Sequence, residues 1–246
     1  MSSFSARLLR VTLLVGLLAL PAHIASAQDQ VRETRSVASF TGIEYAIPGT
    51  LHLQQGNGRS IELEAPKNML DRVETTVEGE TLEISDGEDS GVLARLFGDN
   101  GLDTDQVDVY VTAPTINRLS LAGRGHMEGE SRIKSASLSL NVAGSGSMEI
   151  ELDTKELSVQ IAGSGACTLR GQADSTDADI AGSGDLRAAD LTAQRTKVRI
   201  AGSGNAELNV VDRLSAEIFG SGDVRYRGRP EIETNTVGSG DVRPIE

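Results

Sequence analysis

Residues 178–187 read Ala178-Asp179-Ile180-Ala181-Gly182-Ser183-Gly184-Asp185-Leu186-Arg187. Apolar and polar side chains alternate up to the glycine pair and again after it, the pattern of two strands that each bury one face and meet at a sharp corner. A corner of this kind needs a backbone with φ > 0, which glycine adopts without steric cost. The same glycine, one residue, glycine signal recurs at Gly123, Gly144, Gly163, Gly182, Gly202, Gly220 and Gly238, spaced by 21, 19, 19, 20, 18 and 18 residues. A period near twenty with only short alternating segments between corners predicts a repeat architecture in which each unit stacks on the last.

Aligned on the first glycine, the units form columns. Two residues before it stand Leu121, Val142, Ile161, Ile180, Ile200, Ile218 and Thr236, and four before it Leu119, Leu140, Val159, Ala178, Val198, Ala216 and Thr234. Between these apolar columns lie Ser120, Asn141, Gln160, Asp179, Arg199, Glu217 and Asn235, all polar. Four residues after the glycine an inward column resumes as Met127, Met148, Cys167, Leu186, Ala206, Val224 and Val242, with His126, Ser147, Ala166, Asp185, Asn205, Asp223 and Asp241 outward beside it. Each unit therefore reads as strand, corner, strand and a more variable return segment. Coils pairing at about 4.8 Å make an all-β β-solenoid, its seven glycine-cornered C-terminal coils about 30 Å long. The last coil exchanges its inward aliphatics for Thr234 and Thr236 and ends at Pro244, a device that blocks further strand pairing.

Upstream, residues 28–115 show less regular strands at Leu51–Leu53, Ile61–Leu63, Thr81–Ile84 and Val107–Val111, interrupted by an acidic insertion over 85–105. Residues 1–27 read as a signal peptide, with Arg7 and Arg10, an apolar run from Val11 to Leu20, and Ala25-Ser26-Ala27 as cleavage site. Residues 28–246 then form the exported domain, regular from 116 onward. No apolar stretch reaches the roughly 18 residues of a spanning helix, which argues against an integral membrane anchor. Gln28, not Cys, stands directly after the cleavage site, so a lipid anchor is not expected, and the single Cys167 excludes an intramolecular disulfide. Without the leader, 21 basic and 36 acidic side chains leave a net charge of −15, which repels nucleic acid.

Several residues were weighed as sites. Asp185, Asp223 and Asp241 each follow a Gly-Ser-Gly corner and could form a calcium ladder. Against this, four of the seven repeats lack the aspartate, and Arg187, Arg225 and Arg243 two residues along point to a self-neutralising surface ladder. Asp86, Glu88, Asp89, Asp99, Asp103 and Asp105 in the insertion match no EF-hand spacing and read as a solvated loop, with the helical potential of Val92–Phe97 left open. His52 and His126 sit in separate strand regions and read as surface histidines, and Cys167 as a small buried hydrophobe. No nucleophile elbow, Cys-x-x-Cys, His-x-x-x-His or phosphate loop is present, so no catalytic residue, metal or cofactor is assigned.

Residues Arg35–Ile43, the run Ala113-Pro114-Thr115-Ile116-Asn117-Arg118-Leu119 and the recurring Gly-Ser-Gly-Asp together resemble the "putative auto-transporter adhesin head GIN domain" family over essentially the whole exported chain. The resemblance implies a single-stranded right-handed parallel β-helix in an exported bacterial protein. Three functions are consistent with the sequence. The first is non-enzymatic adhesin-like or scaffold-like binding of an envelope or extracellular partner, protein or glycan. The second is a polysaccharide-acting lyase or hydrolase, which would want converging carboxylates and stacking aromatics, whereas aromatics are 3% with no Trp. The third is an envelope sensory or regulatory module.

Overall fold

The structure, a computed structural model, describes residues 30–87 and 107–245. The leader and, within the insertion, Glu88, Asp89, Val92–Phe97, Asp99, Asp103 and Asp105 lie outside the described residues. The N-terminal elements are β1 (Gln30–Arg35), β2 (Gly42–Tyr45), β3 (Thr50–Gln55), β4 (Ser60–Pro66), the single turn α1 (Lys67–Leu70), β5 (Val73–Glu78), β6 (Thr81–Asp86) and β7 (Asp108–Ala113). There follow β8 (Arg118–Gly123), β9 (His126–Gly129), β10 (Ile133–Gly144), β11 (Ser147–Gly163), β12 (Ala166–Gly182), β13 (Asp185–Gly202), β14 (Asn205–Gly220), β15 (Val224–Arg227), β16 (Glu231–Gly238) and β17 (Val242–Pro244). All seventeen strands belong to one sheet that winds into stacked parallel coils, a β-solenoid.

Like residues stack on like. Ile161 pairs with Ile180, Ile180 with Ile200 and Ile200 with Ile218 in parallel register, and all four are at most 2% exposed. Burying one such side chain is worth roughly 1.5–3 kcal/mol, and repetition in every coil gives a continuous dry interior. The return segment, more variable in sequence, is strand as well: β11 to β14 run from one glycine corner to the next, and local register shifts near Thr168, Ala188 and Ala193 absorb the differing coil lengths. Alternation persists through the return, as in Ile150, Leu152 and Thr154, which are buried.

The corners are tight because the coils approach closely there. The first glycine of each of the seven corners has positive φ, +118° at Gly182. A Cβ on Gly182 would lie 2.5 Å from the Gly163 carbonyl oxygen of the preceding coil. That oxygen accepts the Ser183 N–H at 2.8 Å, so the corner backbones are themselves hydrogen-bonded coil to coil.

The N-terminal half continues the stack out of sequence order. β2 lies between β6 and β8, and β3 between β7 and β9, all parallel. The chain thus builds the β2–β3 coil first, adds the β6–β7 coil on one side, then crosses to the other side for β8–β9. The inward columns run through: Val109 pairs with Leu51 and Leu51 with Met127. Gln55 braces the crossing, accepting from the Lys134 N–H at 2.7 Å and donating to the carbonyls of Lys134 at 3.1 Å and Pro114 at 3.3 Å. On either side of the insertion the chain bonds to the β2–β3 coil, with Ala46 N–H to Ile84 O and Thr50 N–H to Val107 O both 2.9 Å.

The beginning of the stack is sealed by antiparallel strands. β5 pairs antiparallel with β6, β4 with β7 and β1 with β4. Leu70 of α1 is buried, and Arg35 donates to its carbonyl at 3.1 Å while lying 2.9 Å from Glu33. The inward alternation of β1 thereby ends in charge, which discourages another strand from adding.

Candidate binding faces

Each coil offers the solvent three surfaces: the strand before the corner, the corner, and the strand after it. On the first, Ser120, Asn141, Gln160, Asp179, Arg199, Glu217 and Asn235 follow one another in register, one per coil. The column has two characters. Toward the C-terminal coils it is ionic: Arg199 forks onto Asp179, Nε to Oδ1 at 2.5 Å and Nη2 to Oδ2 at 2.8 Å, and reaches Asp177 at 3.4 Å, while Lys197 pairs with Glu217 at 3.3 Å. The hydrogen bond from Arg199 holds the Asp179 carboxyl below its ordinary range, and the same bond raises Arg199. Toward the middle the column is uncharged over three coils, Ser120, Asn141 and Gln160 beside Ser139 and Ser158, between Glu44, which pairs with Ser120, and Asp179; there Asn141 Nδ2 donates to Ser120 Oγ at 3.4 Å.

The corner ridge carries Ser145, Ser164, Ser183, Ser203, Ser221 and Ser239, one hydroxyl per coil between two glycines. Beyond it, Asp185, Asn205, Asp223 and Asp241 stand in consecutive coils, and their partners lie mostly across coils. Asp185 takes Arg187 of its own strand at 3.2 Å and Asn205 Nδ2 of the next coil at 3.1 Å. Asp223 takes Arg243 of the next coil at 3.3 Å, while Arg225, its expected same-strand partner, pairs with Glu207 at 3.5 Å. Asp241 accepts its neighbour's N–H from Val242 at 2.8 Å and lies 4.0 Å from Arg243. Coil spacing explains why Arg225 turns to Glu207, which stacks on it about 4.8 Å away, closer than residues two apart along one strand; this leaves Asp223 to Arg243, which reaches it diagonally from the next coil.

The two histidines come together although their strands are 74 residues apart in sequence. Thr50 pairs with His126 and His52 with Glu128, so the rings occupy diagonal positions on adjacent strands of one outward face. His52 stacks on Tyr110 with centroids 4.7 Å apart and lies 3.3 Å from Asp108 and 3.4 Å from Glu130. Arg32 stands 5.0 Å from the Tyr110 ring centroid and also pairs with Glu64 at 2.5 Å and Glu62 at 3.4 Å. His126 Nδ1 lies 2.7 Å from Ser147 Oγ. Leu51-His52-Leu53 foretold the outward ring, but nothing local to the sequence foretold that β3 and β9 are neighbours. With His52 stacked on it and Arg32 packed against it, the Tyr110 ring belongs to a closed cluster and is not a free platform for a sugar.

Concave surface is shallow. A furrow of about 570 Å3 runs past Lys155, Glu156, Asp174, Asp177 and Arg195. Among the described residues no three His, Cys, Asp or Glu side chains converge as metal ligands would. Asp86 is buried and 3.5 Å from Arg72 at the mouth of the insertion. Cys167 is wholly buried between Met148 and Leu186, where desolvation pushes its thiol up to about 12. No helix among the described residues is long and apolar enough to cross a membrane.

Comparison with known proteins follows the same lines. The family described as "Putative auto-transporter adhesin, head GIN domain" matches residues 39–230. The fold is shared with a putative adhesin from Bacteroides fragilis (TM-score 0.79, 23% identity, covering 89% of this chain and 98% of that one). It is also shared with a protein from Parabacteroides distasonis titled a putative lipid binding protein (TM-score 0.72, 23% identity, 89% and 98% covered). A third neighbour is a putative adhesin from Parabacteroides merdae (TM-score 0.68, 20% identity, 89% and 98% covered). No curated protein matches the chain significantly.

Proposed function

Because the chain belongs to the putative auto-transporter adhesin, head GIN domain family, we propose that it is an exported, non-enzymatic β-solenoid that binds an envelope or extracellular partner through the strand face before the glycine corners. The observation that carries this reading is the uncharged stretch Ser120, Asn141 and Gln160 with Ser139 and Ser158. Its hydroxyls and amides stand one per coil on a rigid sheet, with no ion pair occupying them. Such a row offers evenly spaced donors and acceptors to a flat, repetitive, hydrogen-bonding partner, glycan or protein.

A polysaccharide lyase or hydrolase is the rival, and the furrow at Glu156, Asp174 and Asp177 is where it would act. That furrow is open and has no aromatic lining, which favours binding over turnover.

The test is retention of the chain on immobilised envelope polysaccharide and on envelope protein fractions. Asn141→Lys and Gln160→Lys, both on the solvent side of the sheet, should abolish retention while melting like the parent, and Arg187→Ala on the opposite side of the ridge should leave it intact. Retention that survives both lysine substitutions refutes the assignment of this face.

A further inference from the structure

The two ends of the solenoid are finished differently. At the start, antiparallel strands and α1 cover the interior and turn charge inward through Arg35 and Glu33. At the other end the last coil, β16 and β17, is paired on one side only, with β14 and β15. All eight residues of β16 are exposed. Large exposed apolar side chains gather there: Val211 (44%), Phe219 (49%), Ile232 (41%) and Val237 (60%) all lie on the last two coils, and the other one described, Val31, is at the far end. The column just before the glycine is alanine at 122, 143, 162, 181 and 201, and changes to Phe219 and Val237 only where the stack stops. Thr234 and Thr236 therefore do not close the stack as the sequence suggested, and Pro244 blocks pairing only at β17; a long, flat strand edge with apolar neighbours is a surface that another strand will cover.

We propose that this edge is covered by a second copy of the chain, β16 pairing antiparallel with β16 about a two-fold axis. Charge and register select this occupant. A head-to-tail contact would set β16, with Glu231 and Glu233, against β5, with Glu74 and Glu78, like charge on like. A two-fold centred on Thr234 instead places Thr234 on itself, Ile232 on Thr236, Glu233 on Asn235 and Glu231 on Val237, without one like-charge pair. Each position meets one of its own parity, so inward side chains stay with inward ones and the two interiors become continuous. Glu231 is already neutralised by Arg213 at 3.2 Å. Pro230 before β16 and Pro244 within β17 confine the contact to 231–238, where every residue keeps its N–H. The contact is isologous and closes at two copies, so it ends growth and does not seed a fibre. It also joins two uncharged binding rows into one bivalent particle, which raises avidity for a repetitive partner.

Sedimentation of the chain lacking residues 1–27, from low to high micromolar, should show a monomer–dimer equilibrium. Asn235→Glu places acid opposite Glu233 twice and should raise the dimer Kd up to about tenfold. Adding Glu233→Lys should restore it, since opposite charges then face each other. Both side chains are exposed, so neither change threatens the fold. In a Cys167→Ala background, Thr234→Cys should give a covalent dimer on oxidation, because the axis puts that position against itself. A chain that stays monomeric throughout, or a dimer indifferent to Asn235→Glu and uncrosslinked by Thr234→Cys, overturns the proposal.

Discussion

Substituting four glycines by alanine separates the two physical causes that shape the coil corners. Gly123 has φ +92° but nothing within 4 Å of an added Cβ, so Gly123→Ala meets the backbone strain alone, about 1–2 kcal/mol. Gly184 has no positive φ, but its Cβ would lie 2.5 Å from Ile161 Cγ2 and 2.7 Å from the Gly165 carbonyl oxygen, an overpacking cost of about 1–3 kcal/mol. Gly182 combines φ +118° with a Gly163 carbonyl oxygen at 2.5 Å, and that oxygen is fixed by the coil ladder. Gly182→Ala should therefore cost about 3 kcal/mol or more, the sum of the two. Gly58, open on all sides, should change stability by less than about 0.5 kcal/mol. Urea midpoints followed by circular dichroism rank the four. If Gly182→Ala is no worse than Gly123→Ala, the carbonyl contact between coils is not there and the stacking is wrong; if it is as mild as Gly58→Ala, the corner itself is wrong.

Three further outcomes follow from the described contacts. Cys167 should resist thiol reagents until the chain unfolds, and Cys167→Val should keep the fold; fast labelling of the native protein would reverse the facing of its whole column. Melting in chelator and in millimolar calcium should coincide, because Asp185, Asp223 and Asp241 are already engaged by Arg187, Asn205, Arg243 and backbone N–H groups; a large upward shift with calcium would make them ligands. Asp179 is held below its ordinary 3.8 chiefly by the Arg199 hydrogen bond, so its contribution is present above that value and is lost as the pH falls through the lower folded value. With the two side chains 38% and 42% exposed, Arg199→Ala should cost no more than about 1 kcal/mol at pH 7, and the gap to the parent should close as the pH falls through the lowered Asp179 value; a gap that persists once Asp179 is protonated would assign the loss to packing.

The C-terminal coils were legible because their inward columns obey one rule at every repeat. Leu186, Ile200 and Val198 are buried where the period puts them, and the loss of aliphatics at Thr234 and Thr236 coincides with exposure of the last coil. The N-terminal half was legible as strands and illegible as an order. Leu51–Leu53, Ile61–Leu63 and Thr81–Ile84 alternate as strands should, but alternation fixes which side a residue faces, not which strand lies beside it. That β2 sits between β6 and β8 depends on a chain crossing whose braces, such as Gln55 on Lys134, join positions 79 residues apart. The ion pairs failed in the same way: Asp223 with Arg225 is the pair suggested along the chain, but Arg225 takes Glu207, which stacks on it, and Asp223 is reached diagonally by Arg243 of the next coil.

Inward and outward columns are under different physical constraints, and this difference explains why shape is written more plainly than partner. An inward position must be apolar and of nearly the right volume, since each coil is the floor of the next and a misfit propagates to both neighbours. An outward position needs only to tolerate a pleated strand. Serine at 120, glutamine at 160 and arginine at 199 satisfy that equally, so the column is free to be composed for whatever it meets. The change of character along it, from amides and hydroxyls in the middle coils to interlocked ions at 177–217, is therefore not something folding requires. Ion pairs such as Arg199 with Asp179 occupy their own donors and acceptors and leave little for a ligand, while Asn141 and Gln160 keep most of theirs. The proposed binding assignment therefore rests on the uncharged coils and not on the more conspicuous aspartate ladder beyond the ridge.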